Sequence, residues 1–286
     1  MNQKRLFALL TAAAMTAALL TGCGGAGDKS AITVISREEG SGTRGAFTEL
    51  TGVLEKDADG NKTDMTTVEA ITQTKTDVVL SAVAGDAAAI GYVSLGAVNA
   101  HVQAMDIDGV AASTENVQNG TYKLVRPFNI ATKDAPDGLT QDFLSFILSA
   151  DGQAVASSDF IAADDNAPAF KTDGSAGKIT VGGSSSIAPL MEKLIEAYQR
   201  INGAAEIELQ SSDSTSGMTG AIDGTFDIGM ASRELSDTER AELVPAVIAL
   251  DGIAVIVSAE NPVGSLTLEQ VRQIFVGELT SWSDIK

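Results

Sequence analysis

Residues 32–50, ITVISREEGSGTRGAFTEL, carry a strand pattern, a glycine- and hydroxyl-rich turn and a helix pattern in direct succession. That order calls for an α/β layer with the turn at the carboxyl end of a strand, where open α/β sheets hold their ligands. Ile32, Val34 and Ile35 form a short run rich in β-branched residues, which predicts a buried strand. Ala46, Phe47 and Leu50 then fall at helical spacing. Between them lies Gly40-Ser41-Gly42-Thr43, preceded by Arg37. Small residues leave the first N–H groups of a helix open to a bound group. Ser41 and Thr43 add hydroxyl donors, and Arg37 adds a planar fork suited to an oxyanion. The segment reads as an anion cradle. Gly40, Gly42 and Gly45 also spell G-x-G-x-x-G, the dinucleotide fingerprint, which needs a second strand ending in an acid about twenty residues on. The stretch from Asp57 to Thr67, with Asp59-Gly60-Asn61 in it, reads instead as polar and turn-like. Anion binding is the reading that also uses Arg37 and the hydroxyls.

The pattern recurs. Ile179, Thr180 and Val181 lead into Gly182-Gly183-Ser184-Ser185-Ser186, and Leu190, Leu194, Ile195 and Tyr198 mark the following helix, with Pro189 in its first turn. Ile207 and Leu209 lead into Ser211-Ser212-Asp213-Ser214-Thr215-Ser216-Gly217 and a helix from Met218 to Ile222. Phe226 to Met230 forms a third strand that runs into Ala231-Ser232-Arg233. One serine-rich turn is ordinary helix capping. Several of them, together with the Arg37 turn, point to one ligand crevice.

The ends bound the setting. Lys4 and Arg5 precede an apolar run from Leu6 to Leu20, a secretory signal pattern too short for an ordinary membrane span. Leu20-Thr21-Gly22-Cys23 resembles the bacterial lipobox, so residues 1–22 are expected to be removed, Cys23 lipidated, and 23–30 to act as a tether. Loss of Lys4 and Arg5, with no acid in residues 1–22, takes the net charge from −19 to −21. So acidic a chain is a poor partner for nucleic acid or anionic membrane surfaces. Screening over about 10 Å leaves contact-distance donors in a cleft unaffected. The length allows two lobes, and the 5% aromatic content suits packed α/β layers.

Catalytic constellations are not expected. Cys23 is the sole cysteine and His101 the sole histidine, so no disulfide, His-based triad or Cys/His metal site can be assembled. None of the serine turns fits G-x-S-x-G or has a base beside it. The run from Glu55 to Gly60 lacks the later ligands of a calcium loop. Phe275 and Trp282 are assigned to packing. No metal and no cofactor are expected.

The segments ITVGGSSSIAPLMEKLIEAYQ, SSDSTSGM, AIDGTFDIGMASREL, LDGIAVIVSAENPV and VISREEGSGTRGAF together resemble the phosphate-binding proteins of bacterial phosphate ABC importers, over nearly all of the mature chain. The resemblance implies a two-lobed periplasmic-binding-protein-like (type II) α/β fold with a ligand cleft between the lobes. It implies a non-enzymatic, monomeric, lipid-anchored receptor on the extracytoplasmic face of the cell membrane. Such a receptor binds inorganic phosphate and hands it to ABC permease subunits. In that family the GGSSS-like segment comes first; here it follows the SREEGSGTR segment, an order that looks like a circular permutation joined through Asp173–Lys178. One lobe would then combine 31–122 with 253–286 and the other would span 126–250, with crossovers near Tyr122–Arg126 and Ala249–Ile253. Carried over by motif, the ligand contacts would be Arg37, Ser41, Gly42 and Thr43 from one lobe. Ser185, Ser186, Ser214, Thr215 and Ser232 would come from the other. Some family members place an Asp just after the GAS-like strand end to accept the proton of hydrogen phosphate; here that segment is Met230-Ala231-Ser232-Arg233, and Asp213 is the candidate substitute. Alternatives are the same scaffold tuned to sulfate, molybdate or tungstate, a secreted phosphate-ester hydrolase, or a sensor that feeds no transporter.

Overall fold

A computed structural model of the protein describes residues 30–285, so the signal pattern, Cys23 and all but the last residue of the expected tether lie outside the described residues. The chain begins with β1 (Thr33–Arg37) and α1 (Gly42–Thr51). Ser41 caps α1 by accepting from the Arg44 N–H at 3.3 Å, and Gly52 closes it at φ +76°. Then follow β2 (Leu54–Lys56), β3 (Lys62–Asp64), β4 (Ile71–Gln73), α2 (Thr76–Ala84) and β5 (Ala89–Ser94). Next come β6 (Val102–Ala104), β7 (Asp106–Ile107), α3 (Thr114–Gln118) and β8 (Val125–Thr132). The chain continues through α4 (Gly138–Ile147), α5 (Ala150–Ala156), β9 (Ile161–Ala162), β10 (Gly177–Ser184) and α6 (Ala188–Ile201). It ends with β11 (Ala205–Ser212), α7 (Ser214–Asp223), β12 (Ile228–Ala231), α8 (Asp237–Glu242), β13 (Val244–Ser258), β14 (Ser265–Leu266) and α9 (Leu268–Phe275).

Two sets of parallel strands are joined by two long antiparallel ones. The main path runs β11-β10-β12-β8-β13-β5-β1-β4. β10, β11 and β12 are mutually parallel, as are β1, β4 and β5. β8 and β13 lie between the sets, antiparallel to each other and to their outer neighbours. β13 pairs with β8 up to Gly252 and with β5 from Ile253, so a single strand passes from one half of the sheet to the other. The apolar side chains divide at the same place. One cluster packs α4, α5 and α6 on β8, β10 and the first part of β13, through Phe128, Phe143, Leu190 and Ile248. Another packs α1 and α9 on β1, β5 and the second part of β13, through Phe47, Tyr92, Val255 and Phe275. Smaller clusters around Val79 and Ala254, and around Met218 and Ala231, cover the opposite faces. Helices on both faces leave the inner parallel strands β5 and β12 buried along their whole length, whereas β11 at the sheet edge largely alternates between at least partly buried and exposed positions.

Two sequence expectations change. The Asp57–Thr67 stretch is not simply a turn: β2 and β3 pair as a hairpin, and the Asp57 carboxylate is occupied in holding its tip, accepting from Asp59 N, Asn61 N and Asn61 Nδ2 at 2.8–2.9 Å. The helix placed at Met218–Ile222 starts earlier, at Ser214, where Asp213 caps it. The spatial neighbours of β1 are β4 and β5, and β4 ends at Gln73 without an acid for a ribose. Phe275 is fully buried, and Trp282 packs against the same cluster while donating to the Ala88 carbonyl at 2.8 Å. No helix among the described residues is long and apolar enough to cross a membrane.

Candidate functional site

Four helices begin at one place. Thr43 lies in the first turn of α1, Thr76 opens α2, Ser185 and Ser186 lie just ahead of α6, and Ser214 opens α7. Their hydroxyls touch across the two halves of the sheet. Thr43 Oγ1 and Ser186 Oγ are 2.8 Å apart, and Thr76 Oγ1 is 3.3 Å from both Ser185 Oγ and Ser186 Oγ. Ser184 Oγ donates to Ser232 Oγ at 2.9 Å, and the Ser232 N–H donates to Ser214 Oγ at 3.1 Å. All of these residues are buried. The partial positive ends of several helix dipoles and a set of hydroxyls thus share a site shielded from water, a medium in which their attraction for an anion is strong.

Glycine makes the approach possible. A Cβ on Gly42 would lie 2.3 Å from Ser214 Oγ and 2.9 Å from Ser232 Oγ, so only glycine fits there. Gly40 is equally tight, its Cβ position lying 2.4 Å from Asp213 Oδ1.

Arg37 is buried beside this cluster, donating from Nη2 to Ser185 Oγ at 3.3 Å. Its orientation differs from the expected bidentate fork. Nε and Nη2 are taken by Glu38 Oε2 and Oε1 at 2.8 and 2.7 Å, so the guanidinium edge faces its sequence neighbour. Among the described residues none accepts from Nη1, which is the donor left for a ligand. Backbone support comes from Tyr92, whose hydroxyl accepts from the Arg37 N–H at 3.2 Å and lies 2.9 Å from Ser36 Oγ, while its ring stacks on Phe47 at 3.9 Å. Arg44 points away, to Asp64 on β3 at 2.7 Å, and braces the loop by donating to the Arg37 carbonyl at 2.8 Å.

Of the residues singled out by sequence, Arg37, Gly42, Thr43, Ser185, Ser186, Ser214 and Ser232 meet at this point. Ser41 lies next to them, but its oxygen serves as the α1 cap, leaving its O–H to donate. Thr215 departs from the expectation. It is exposed, and its N–H and hydroxyl both hold the Gly40 carbonyl, at 3.1 and 3.2 Å, so it ties loop to loop at the rim. Asp213 is likewise occupied as the α7 cap, accepting from Ser216 N at 2.9 Å and Ser216 Oγ at 2.6 Å. Arg233, where an acceptor Asp would stand, turns to Glu239 at 2.7 and 2.8 Å.

Three neighbours escaped the sequence reading. Thr76 follows β4 through Thr74-Lys75, the same strand–hydroxyl–helix signal in a weaker form. Arg126 and Asp251 each interrupt an apolar run, LVRPFNIA and IALDGIAVIV, and that interruption was the available signal. They are register partners on β8 and β13, and both side chains are 1% exposed. Arg126 Nε and Nη2 donate to Asp251 Oδ2 at 3.0 and 2.9 Å, Ser94 Oγ donates to Oδ1 at 2.9 Å, and Arg126 Nη1 donates to Thr43 Oγ1 at 2.6 Å and the Ser232 carbonyl at 3.1 Å. Burial lowers the pKa of Arg126 and raises that of Asp251, and the ion pair opposes both shifts. No cluster of three or more His, Cys, Asp or Glu side chains able to hold a metal occurs among the described residues.

A PBP superfamily domain matches residues 8–151 and 168–286. Phosphate-binding protein PstS 2 of Streptococcus agalactiae is 47% identical over 289 residues, covering 99% of each chain. The crystal structure of a phosphate-binding protein of a phosphate ABC transporter from Streptococcus pneumoniae, also 47% identical, superposes with a TM-score of 0.71 over 90% of this chain and all of that one. A phosphate-binding protein PstS of Staphylococcus saprophyticus is 31% identical, but over 117 residues only, 38% of this chain and 37% of its own.

Proposed function

We infer, from a chain that belongs to the PBP superfamily alongside the streptococcal phosphate-binding proteins, that it is an extracytoplasmic solute-binding protein for inorganic phosphate, serving import by an ABC transporter. It is a binding protein and not an enzyme. The observation that carries the ligand class is the buried meeting of Thr43, Thr76, Ser184, Ser186, Ser214 and Ser232 beside Arg37. A tetrahedral oxyanion accepts from several hydroxyls and N–H groups at once, and the helix N-termini add to its attraction.

The finer reading is also ours. Residues 31–122 with 253–286 form one lobe and residues 126–250 the other, with β8 and β13 as crossovers; the division of the apolar clusters supports this. Closure brings the Arg37 loop onto the three serine loops. The ligand set is Arg37, Ser41, Gly42, Thr43, Ser185, Ser186, Ser214 and Ser232, with Thr215 latching the rim. Cys23 carries the lipid that keeps a monomeric receptor at the outer face of the membrane. The segment order is a circular permutation shared with the Streptococcus agalactiae relative, which aligns end to end, while the Staphylococcus saprophyticus relative aligns over little more than a third.

Equilibrium competition against labelled phosphate tests the ligand. Unlabelled phosphate is expected to displace the label at lower concentration than sulfate, molybdate or tungstate. Displacement by any of those three at a lower concentration than phosphate itself overturns the assignment.

A further inference from the structure

We propose that Arg126 is a positioning residue for the bound oxyanion, holding the Thr43 hydroxyl as a donor into the cradle while Asp251 neutralises its charge. The proposal rests on the phosphate reading above and deepens it.

The geometry is one-sided. A guanidinium only donates, in a fixed fork. Two of its nitrogens are spent on Asp251 Oδ2, and Ser94 secures the other carboxylate oxygen, so the acid is fully engaged. The third, Nη1, points the opposite way, to Thr43 Oγ1 and the Ser232 carbonyl. A hydroxyl carries one hydrogen and two lone pairs. With one lone pair of Thr43 taken by Arg126, its O–H must point elsewhere, toward Ser186 Oγ at 2.8 Å or toward an anion beside it. The same guanidinium pins the backbone of Ser232, whose N–H and Oγ bond to Ser214 and Ser184. Arg126 therefore touches a residue of each ligand-bearing half from the strand that joins them. Because the pair is neutral overall and buried, its effect on an anion is one of hydroxyl orientation and the near end of a dipole, not of net charge.

A purely structural ion pair between β8 and β13 would make no such link to Thr43. Phosphate titrations by calorimetry on the whole mature protein separate the two. Thr43→Val, the double replacement Arg126→Met with Asp251→Leu, and the combination of all three are compared with the parent. The double replacement removes both charges together, which leaves no unpaired buried ion and spares the fold, checked by the thermal midpoint without phosphate. Thr43→Val and the double replacement are each expected to weaken phosphate about tenfold, the scale of one lost hydrogen bond, and the combination to be within about twofold of the worse of them. Arg126→Lys keeps the charge but not the fork; it is expected to weaken phosphate to a similar degree, again without adding to Thr43→Val, and it carries the test if the double replacement does not fold. Losses that multiply, or an Arg126 variant that binds like the parent, overturn the proposal while phosphate binding stands. A parent that takes no phosphate overturns the functional reading and this proposal with it.

Discussion

Gly42 shows how far single residues set the site. The loops meet so closely that a methyl group there lands 2.3 Å from Ser214 Oγ, on a serine that is itself fully buried. Gly42→Ala is expected to prop the loops apart and to weaken phosphate by about 1–3 kcal/mol, the range for overpacking a tight contact, as read by titration calorimetry. Unchanged affinity would mean that the loops need not meet in the bound state. At this scale the hydroxyls were legible, because glycine and serine at a strand-to-helix junction signal open N–H groups wherever they occur. The direction of the Arg37 fork was not. Sequence gives the neighbouring charge of Glu38 but not that both of its oxygens fold back onto the guanidinium edge. Arg126 and Asp251 were legible only as interruptions of apolar runs. That they pair across β8 and β13 depends on a register set by residues 125 positions apart.

Elements were read best where period and capping agree. The helix marked by Leu190, Leu194, Ile195 and Tyr198 appears as α6, with all four buried. The β2–β3 hairpin was missed because its strands are three residues each and mostly exposed, so no apolar alternation announces them. α8 is also short, at six residues, and a capping box holds it: Ser236 Oγ accepts from the Glu239 N–H at 3.3 Å while Glu239 Oε2 accepts from the Ser236 N–H at 2.8 Å. Burial alone would raise the pKa of Glu239, but the Arg233 and Ser236 hydrogen bonds outweigh it and hold the carboxyl below its ordinary 4.5. A carboxyl depressed in the folded state contributes stability in full above its unfolded value, and that contribution is lost as the pH falls through the folded value. Glu239→Gln is therefore expected to cost about 1 kcal/mol near neutral pH, with the gap to the parent closing as the pH drops below about 4.5. Denaturant melts at several pH values measure it; a gap that persists in acid would assign the cost to packing instead.

For the whole molecule, the alternation of strands and helices made the α/β class and the crevice at the strand ends legible. The exchange of β13 between the two halves, at Gly252 and Ile253, was marked in the sequence only by Asp251-Gly252, which breaks an otherwise apolar run. The ends of the described chain lie together: the Ile32 N–H donates to the Thr280 carbonyl at 2.8 Å and the Trp282 N–H to the Ser30 carbonyl at 2.7 Å. Residues 173–178 are mostly exposed, with Gly174 and Gly177 at φ +77° and +138°. Joining the ends by a few residues and opening the chain at 173–178 is thus expected to keep the fold and phosphate binding, with circular dichroism and titration as the readouts. A rearranged chain that fails to fold would count against the permutation. The central claim, that phosphate lies where the four helix N-termini meet, is tested most directly by a crystal structure of the mature protein grown with phosphate. The expected result is one tetrahedral anion within hydrogen-bond distance of Thr43, Ser186, Ser214, Ser232 and Arg37 Nη1. An anion held elsewhere, with these hydroxyls still bonded only to one another, would contradict the account.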